Sequence, residues 1–227
     1  MNISDFIHHL AWKFFDSLWI RVNQICLRNK TFSLFANDCI GGIICHSCGL
    51  QFKSPTVNLY FADLGEYVTF LEHLPEYKNS PIIEDPSQGV DYPVGIIKNA
   101  EFGDVCVHFM HYKTFDEAVS IWKRRFERID YENLFAILHV SKLPVKYEEL
   151  FQRFSKLPYK GKCLISWPHV LPDGFSWKDS LFIHPDNLIY EHGKLLHWKN
   201  HFRKRYIDDF DYVSFLNGKT VIKRARK

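Results

Sequence analysis

Apolar residues recur with a helical period at the start of the chain, over residues 4–28. They stand three or four positions apart, at Ile7, Leu10, Ala11, Phe14, Leu18, Val22 and Ile25. Ser4 is a suitable N-cap for such a helix. The pattern predicts an amphipathic helix packed on the domain, and contact with a membrane surface or a partner protein is the alternative. Acidic and basic residues are mixed along the segment, which weakens the membrane alternative.

From residue 31 onward, short apolar runs alternate with helical patterns. The predicted strands are 31–36, 56–61, 93–97, 105–110, 134–140, 162–167, 181–184 and 212–216. The predicted helices are 40–50, 63–73, 114–129 and 147–157, and residues 75–92 form a long loop. This order predicts an α/β fold, a three-layer sandwich with a largely parallel Rossmann-like sheet and one antiparallel excursion. We therefore expect an N-terminal helix over 1–29, a single α/β domain over 30–222 and a basic tail over 223–227.

Composition narrows the class of protein without naming a reaction. The chain has 227 residues, 46% of them hydrophobic and 24% charged, which is typical of a globular domain. A net charge of +3 is too small for a nucleic-acid partner. The six cysteines do not form the pattern of a short secreted domain, and no uncharged apolar run is long enough to span a membrane. We therefore expect a cytoplasmic protein.

The first candidate site is the turn that follows the first strand, where Asn37, Asp38 and Cys39 precede Gly41 and Gly42. A thiol at a helix N-terminus is favoured as thiolate, and two glycines let a substrate approach backbone amides. Cys39 is thus a candidate nucleophile, and Asn37 is a candidate oxyanion donor. In the alternative, Asn37 and Asp38 only cap the helix and Cys39 is buried.

The second and third candidates surround the predicted helix 114–129. His111 stands at a strand end and suits a general base, while Tyr112 and Lys113 could orient a carboxylate or phosphate. Arg125 and Arg128 lie one turn apart and could clamp the phosphates of a donor. The alternatives are a helix-capping His111 and a solvated arginine face.

Other motifs predict no further chemistry. Cys45 and Cys48 form a CxxC pair, but no second pair follows at the spacing of a zinc site. The pair also falls late in its helix, where a redox dithiol is not expected. Nucleotide-binding glycine motifs and the serine-hydrolase elbow are absent from the sequence. We predict no metal site.

Taken in order, these segments resemble a bacterial family of uncharacterised domains that are often labelled exopolysaccharide biosynthesis proteins. The resemblance covers about residues 30–200. Its segments are 35–42, Leu50, 54–56, 92–95, 108–112, Ala118, Trp122, Arg125, 128–129 and Asn133. Within them, the positions that carry the family pattern are Asn37, Cys39, Gly41, His111, Tyr112, Trp122, Arg125 and Arg128.

The resemblance implies that the protein takes part in building or decorating a bacterial surface glycan. The turn after the first strand also looks like that of capsule acyltransferases, although their Asp-x-x-His is missing and Asp208 with His201 would have to replace it. We expect a transferase that acylates a glycan precursor or another sugar-linked substrate. Its donor is an acyl-coenzyme A or a nucleotide sugar, with no tightly bound cofactor. The alternatives are a glycosyltransferase of the same pathway and a non-catalytic module that docks at the inner face of the membrane through residues 4–28.

Overall fold

A five-stranded parallel sheet forms the centre of the computed structural model, which describes residues 3–184 and 205–223, with side chains from residue 15. Its strands are β1 (Ser33–Ala36), β5 (Leu134–Val140), β6 (Gly161–Ser166), β7 (Ser180–Ile183) and β8 (Ile222–Lys223). They lie in that order across the sheet, so β1 and β8 are the edges. A separate antiparallel sheet contains β2 (Ile82–Glu84), β3 (Val94–Ile97) and β4 (Val105–His108).

Helices cover both faces of the parallel sheet. They are α1 (Ile3–Cys26), α2 (Ile40–Ser47), α3 (Leu64–Glu72), α4 (Phe115–Phe126), α5 (Tyr147–Lys156) and α6 (Tyr212–Leu216). Alternate residues of β5 divide the core. Ala136 and Leu138 pack with α3, α4 and α5, whereas Phe135 and Ile137 pack with α2 and α6. The predicted three-layer α/β sandwich is confirmed, and its antiparallel excursion is the second sheet.

Two predicted helix starts are confirmed by their capping bonds. Asp63 accepts a hydrogen bond from the backbone of Glu66 at 2.9 Å, and Thr114 accepts one from Glu117 at 3.2 Å. Each bond satisfies an amide that would otherwise lack a partner at the first turn. The helix predicted to reach residue 129 ends at Phe126.

Three strand assignments need correction. Residues 212–216 form α6 because Asp211 caps them and Tyr212, Phe215 and Leu216 face the core at helical spacing. Residues 56–61 form no strand beyond one isolated bridge at Tyr60, since Asn58 takes a φ of 65° that interrupts extended backbone. Conversely, the predicted loop 75–92 contains β2.

Helix α1 packs through the face opposite to the predicted one. Among the side chains of α1 from residue 15 onward, Asn23 is buried, and Leu27 is buried just beyond the helix. Asn23 donates hydrogen bonds to Ser47 O at 2.8 Å and to the Tyr212 hydroxyl at 3.1 Å. By contrast, Leu18, Val22 and Ile25 are 48%, 42% and 82% exposed. The predicted apolar stripe therefore faces outward wherever the structure describes its side chains.

The basic tail predicted over 223–227 lies outside the described residues apart from Lys223, and His201 lies outside them as well. Within the described ranges, none of the helices is long and apolar enough to cross a membrane.

Candidate functional site at the carboxyl edge of the parallel sheet

Asn37 ties the end of β1 to the end of β5. Its Nδ2 donates to the carbonyl of His139 at 3.0 Å, and its Oδ1 accepts from the amide of His139 at 2.7 Å. The two strands are parallel with Ala36 opposite Ile137, so Asn37 continues the ladder with its side chain. These two hydrogen bonds fix the backbone that carries the His139 imidazole.

Asp38 then fixes the imidazole itself. One carboxylate oxygen accepts from the amide of Ile40, the first residue of α2, at 2.9 Å, and the other lies 2.5 Å from His139 Nδ1. A carboxylate accepts hydrogen bonds only, so Nδ1 is the donor to Asp38, and in the neutral form of an imidazole bound in this way Nε2 is the acceptor. Nε2 is buried and has no hydrogen-bond partner in the described part of the chain. The pair is arranged as a general base with its orienting carboxylate.

The end of the sheet places aromatic rings beside this pair. The Trp167 ring lies 5.0 Å from that of His139, and the His184 ring lies 6.1 Å from that of Trp167. Trp167 follows β6 directly, and His184 follows β7. The three side chains thus stand at the carboxyl ends of adjacent parallel strands, where open α/β sheets bind their ligands.

Cys39 stays protonated at neutral pH. Burial, with the neighbouring Asp38 carboxylate, raises the pKa of its thiol to about 12. The Cys39 sulfur lies 4.0 Å from that of Met110, so the turn after β1 and the turn after β4 are neighbours. The predicted thiolate at the helix start is therefore opposed by the surroundings of this side chain.

The glycine pair lets α2 pack closely instead of lying open to a substrate. A Cβ on Gly41 would lie 3.1 Å from that of Ala36, and one on Gly42 would lie 2.9 Å from Val57 Cγ1. Both glycines are buried. The contacts explain these residue types by packing, with α2 pressed against β1 and the segment around Val57.

Arg125 and Tyr112 form a buried pair that holds the same segment. Arg125 Nη1 donates to the Tyr112 hydroxyl at 2.7 Å and to Val57 O at 2.9 Å, and Tyr112 donates to Val57 O at 3.0 Å. The guanidinium also lies 5.2 Å from the ring centre of Phe52. These contacts favour a structural role for Arg125, and its binding of donor phosphate stays a prediction.

The other predicted site residues are nearer the surface. His111 is exposed and Arg128 is half-buried. Lys113 is exposed beside a cavity of about 560 Å³ between the 84–94 segment and the start of α4. Among the described side chains, Cys39 contacts Met110, the residue that precedes His111. The structure thus places Cys39 beside Met110 and pairs Tyr112 with Arg125 at Val57, and the catalytic and binding roles predicted for these residues stay predictions.

His139 is the residue that sequence reasoning missed. It lies in the run Leu134–Val140, which is otherwise apolar, and it stands next to the end of that strand. An imidazole in a buried parallel strand must find a partner. The signal was therefore this histidine together with a neighbouring strand that ends in Asn37 and Asp38. Among the described residues, no group of three or more metal-ligating side chains comes together.

The fold and this site define an α/β protein with a carboxylate–imidazole pair at the carboxyl edge of its sheet. Over residues 11–217 the chain matches the family described as "Domain of unknown function (DUF1919)", and it belongs to that family. It is also similar to an uncharacterised protein of Haemophilus influenzae, with 29% identity over 197 residues. That match covers 87% of this chain and 89% of the relative.

Proposed function

We propose that this protein is a transferase that moves an acyl group onto a hydroxyl of a glycan precursor, with His139 as the general base. The observation that carries the proposal is the 2.5 Å contact between Asp38 and His139 Nδ1, which leaves Nε2 as a proton acceptor. A bacterial exopolysaccharide or capsule pathway is part of the proposal, and it rests on the resemblance of the ordered sequence segments.

In this reaction, His139 Nε2 takes the proton of the acceptor hydroxyl while the oxygen attacks the thioester carbonyl of an acyl-coenzyme A. The carbon–sulfur bond then breaks, and the departing thiolate takes the proton back from Nε2. Asp38 remains a carboxylate and stabilises the transient imidazolium. Asn37 orients the base through the backbone of His139, so it acts as a positioning residue.

Direct transfer is favoured over an acyl-enzyme at Cys39. A thiol whose pKa lies near 12 is almost wholly protonated at neutral pH, and the thiolate is the nucleophilic form. Cys39 is thus a neighbour of the reacting centre in this proposal. Glycosyl transfer would use the same base on the same hydroxyl, with a nucleotide sugar as donor.

The proposed place of action is the cytoplasm, at the inner face of the cell membrane. The exposed apolar side chains of α1 support this location. They also favour the second candidate function, a non-catalytic module that docks glycan assembly at the membrane.

The test uses the purified full chain with acetyl-coenzyme A as acyl donor and UDP-glucose as a sugar acceptor, with mass spectrometry of the sugar product. The variants are His139→Gln and Asp38→Asn. His111→Gln tests the base predicted from sequence, and the exposed His46→Gln is the matched control. We expect His139→Gln to lower turnover by roughly 10²- to 10⁴-fold. The turnover of His111→Gln and of His46→Gln should equal that of wild type.

Wild-type turnover in a folded His139→Gln protein would contradict the assignment of the base. Loss only in His111→Gln would restore the residue predicted from sequence. In a separate assay without acyl donor, UDP-glucose plus Mn²⁺ is the donor and free glucose the acceptor, and UDP release with formation of a disaccharide would favour the glycosyltransferase. Absence of both reactions, with neither probe raising the melting temperature, would favour the docking module.

A further inference from the structure

Helix α1 presents an outward face that nothing in the described chain covers. Leu18, Val22 and Ile25 recur three and four residues apart and are all exposed. Upstream in the sequence, the same spacing continues with Phe14, Ala11, Leu10 and Ile7. A contiguous line of exposed apolar side chains such as Leu18, Val22 and Ile25 marks an interaction surface.

Polar contacts hold the helix with this face outward. Asn23, on the other side, is bound to Ser47 O and the Tyr212 hydroxyl, and Gln24 donates to Gly49 O at 3.3 Å. Trp19 Nε1 also donates to the Tyr212 hydroxyl at 3.3 Å. Turning the apolar stripe toward the domain would break these bonds. It would also cover Ser47 O and the Tyr212 hydroxyl with apolar side chains that cannot replace the lost donors. The outward orientation is therefore set by specific contacts.

Charge along the helix is divided between its two faces. Arg21 lies three residues after Leu18 and four before Ile25, so it borders the stripe, and it is exposed. Arg28 and Lys30 continue the exposed positive charge just beyond the helix. Asp16 lies seven residues before Asn23 and so belongs to the side that faces the domain. Among the side chains of α1 that the structure describes, the charged residue that borders the outward stripe is thus the cation Arg21, and the acid Asp16 lies on the other side.

We infer that this face binds an anionic lipid surface, with Leu18, Val22 and Ile25 inserted between lipids and Arg21, Arg28 and Lys30 at the head groups. Apolar residues bordered by cations are what an interfacial helix requires. A second copy of the chain fits less well, because two such faces would bring like charges together without acids to pair them. The inference rests on the proposed membrane location and not on the chemistry of His139.

The test is co-sedimentation of the full chain with phosphatidylcholine vesicles, with and without phosphatidylglycerol, at low and high salt. We expect binding to the anionic vesicles that weakens as salt rises. Leu18→Gln/Val22→Gln/Ile25→Gln should lower the partition coefficient at least about tenfold, and Arg21→Glu/Arg28→Glu should lower it similarly. The control is Val145→Gln, which replaces a fully exposed valine outside α1 and should bind as wild type does.

Equal binding by the folded triple variant and wild type would overturn the inference, as would wild-type binding to neither vesicle. Self-association that the triple variant abolishes, without vesicle binding by wild type, would replace the lipid with a second copy. His139→Gln should retain full vesicle binding. A failed transfer assay therefore leaves this result standing, and failed vesicle binding leaves the base assignment standing.

Discussion

Asn37 uses both ends of its side-chain amide on the backbone of one residue, His139. Replacing it with alanine would leave a buried amide and a buried carbonyl of β5 without these partners, so we expect Asn37→Ala to lower the free energy of unfolding by about 3 kcal/mol. Urea denaturation measures this loss. The control is Gln51→Ala, which replaces an exposed polar side chain and should change stability by less than about 0.5 kcal/mol.

An Asn37→Ala protein as stable as wild type would contradict this structural role of the two bonds. The sequence could single out Asn37 and Asp38 because polar residues directly after a buried strand are conspicuous. It could not choose between capping and catalysis, since that choice depends on what the neighbouring strand presents. The neighbouring strand presents His139, which stands 102 positions away from Asn37.

Helix α4 is anchored to the segment around Val57 by Arg125, whose buried guanidinium donates to Val57 O and Tyr112. We expect Arg125→Ala to destabilise the fold by about 2–3 kcal/mol, because the bonds from a charged donor are lost. Arg125→Lys keeps the charge but lacks the planar fork, so its stability should be intermediate. Arg124→Ala, one position away and exposed, is the matched control and should melt as wild type does.

Thermal melting of these three variants separates the two roles of Arg125. Normal melting of Arg125→Ala, combined with a lost response to acetyl-coenzyme A, would support the predicted phosphate clamp and contradict the anchoring role.

Elements with strong local signals were predictable, and those decided by distant contacts were not. The start of α4 follows from Thr114, whose side chain accepts from the Glu117 amide within one turn, while the Glu117 carboxylate accepts from the Lys113 amide at 3.3 Å. Residues 212–216 form a run too short for periodicity to separate strand from helix, and burial against α2 and β5 decides for the helix. The outward orientation of the apolar face of α1 was likewise not predictable from local sequence. Its orientation depends on bonds from Asn23 to residues outside the helix.

At the scale of the whole molecule, the core is divided by the parallel sheet, and both halves contain groups that do not ionise readily in the folded state. Cys45 and Cys163 are fully buried on the α2 and α6 side. Burial raises the pKa of both thiols, and it raises the pKa of Tyr67 on the other side. Each such group couples folding to pH.

The coupling predicts that the free energy of unfolding of this protein falls at alkaline pH, because its buried thiols ionise only after unfolding. An unfolded cysteine ionises near its ordinary pKa of 9.0, whereas the buried thiols of Cys45 and Cys163 stay protonated at that pH. Above about pH 9 the unfolded state therefore binds fewer protons, and the free energy of unfolding should fall by about 1.4 kcal/mol per pH unit for each such thiol. Urea denaturation with reductant between about pH 8 and pH 10.5 measures the slope. Cys163→Ala should make it shallower, while the exposed Cys26→Ala should leave it unchanged, and equal slopes in all three proteins would contradict the role of the buried thiols.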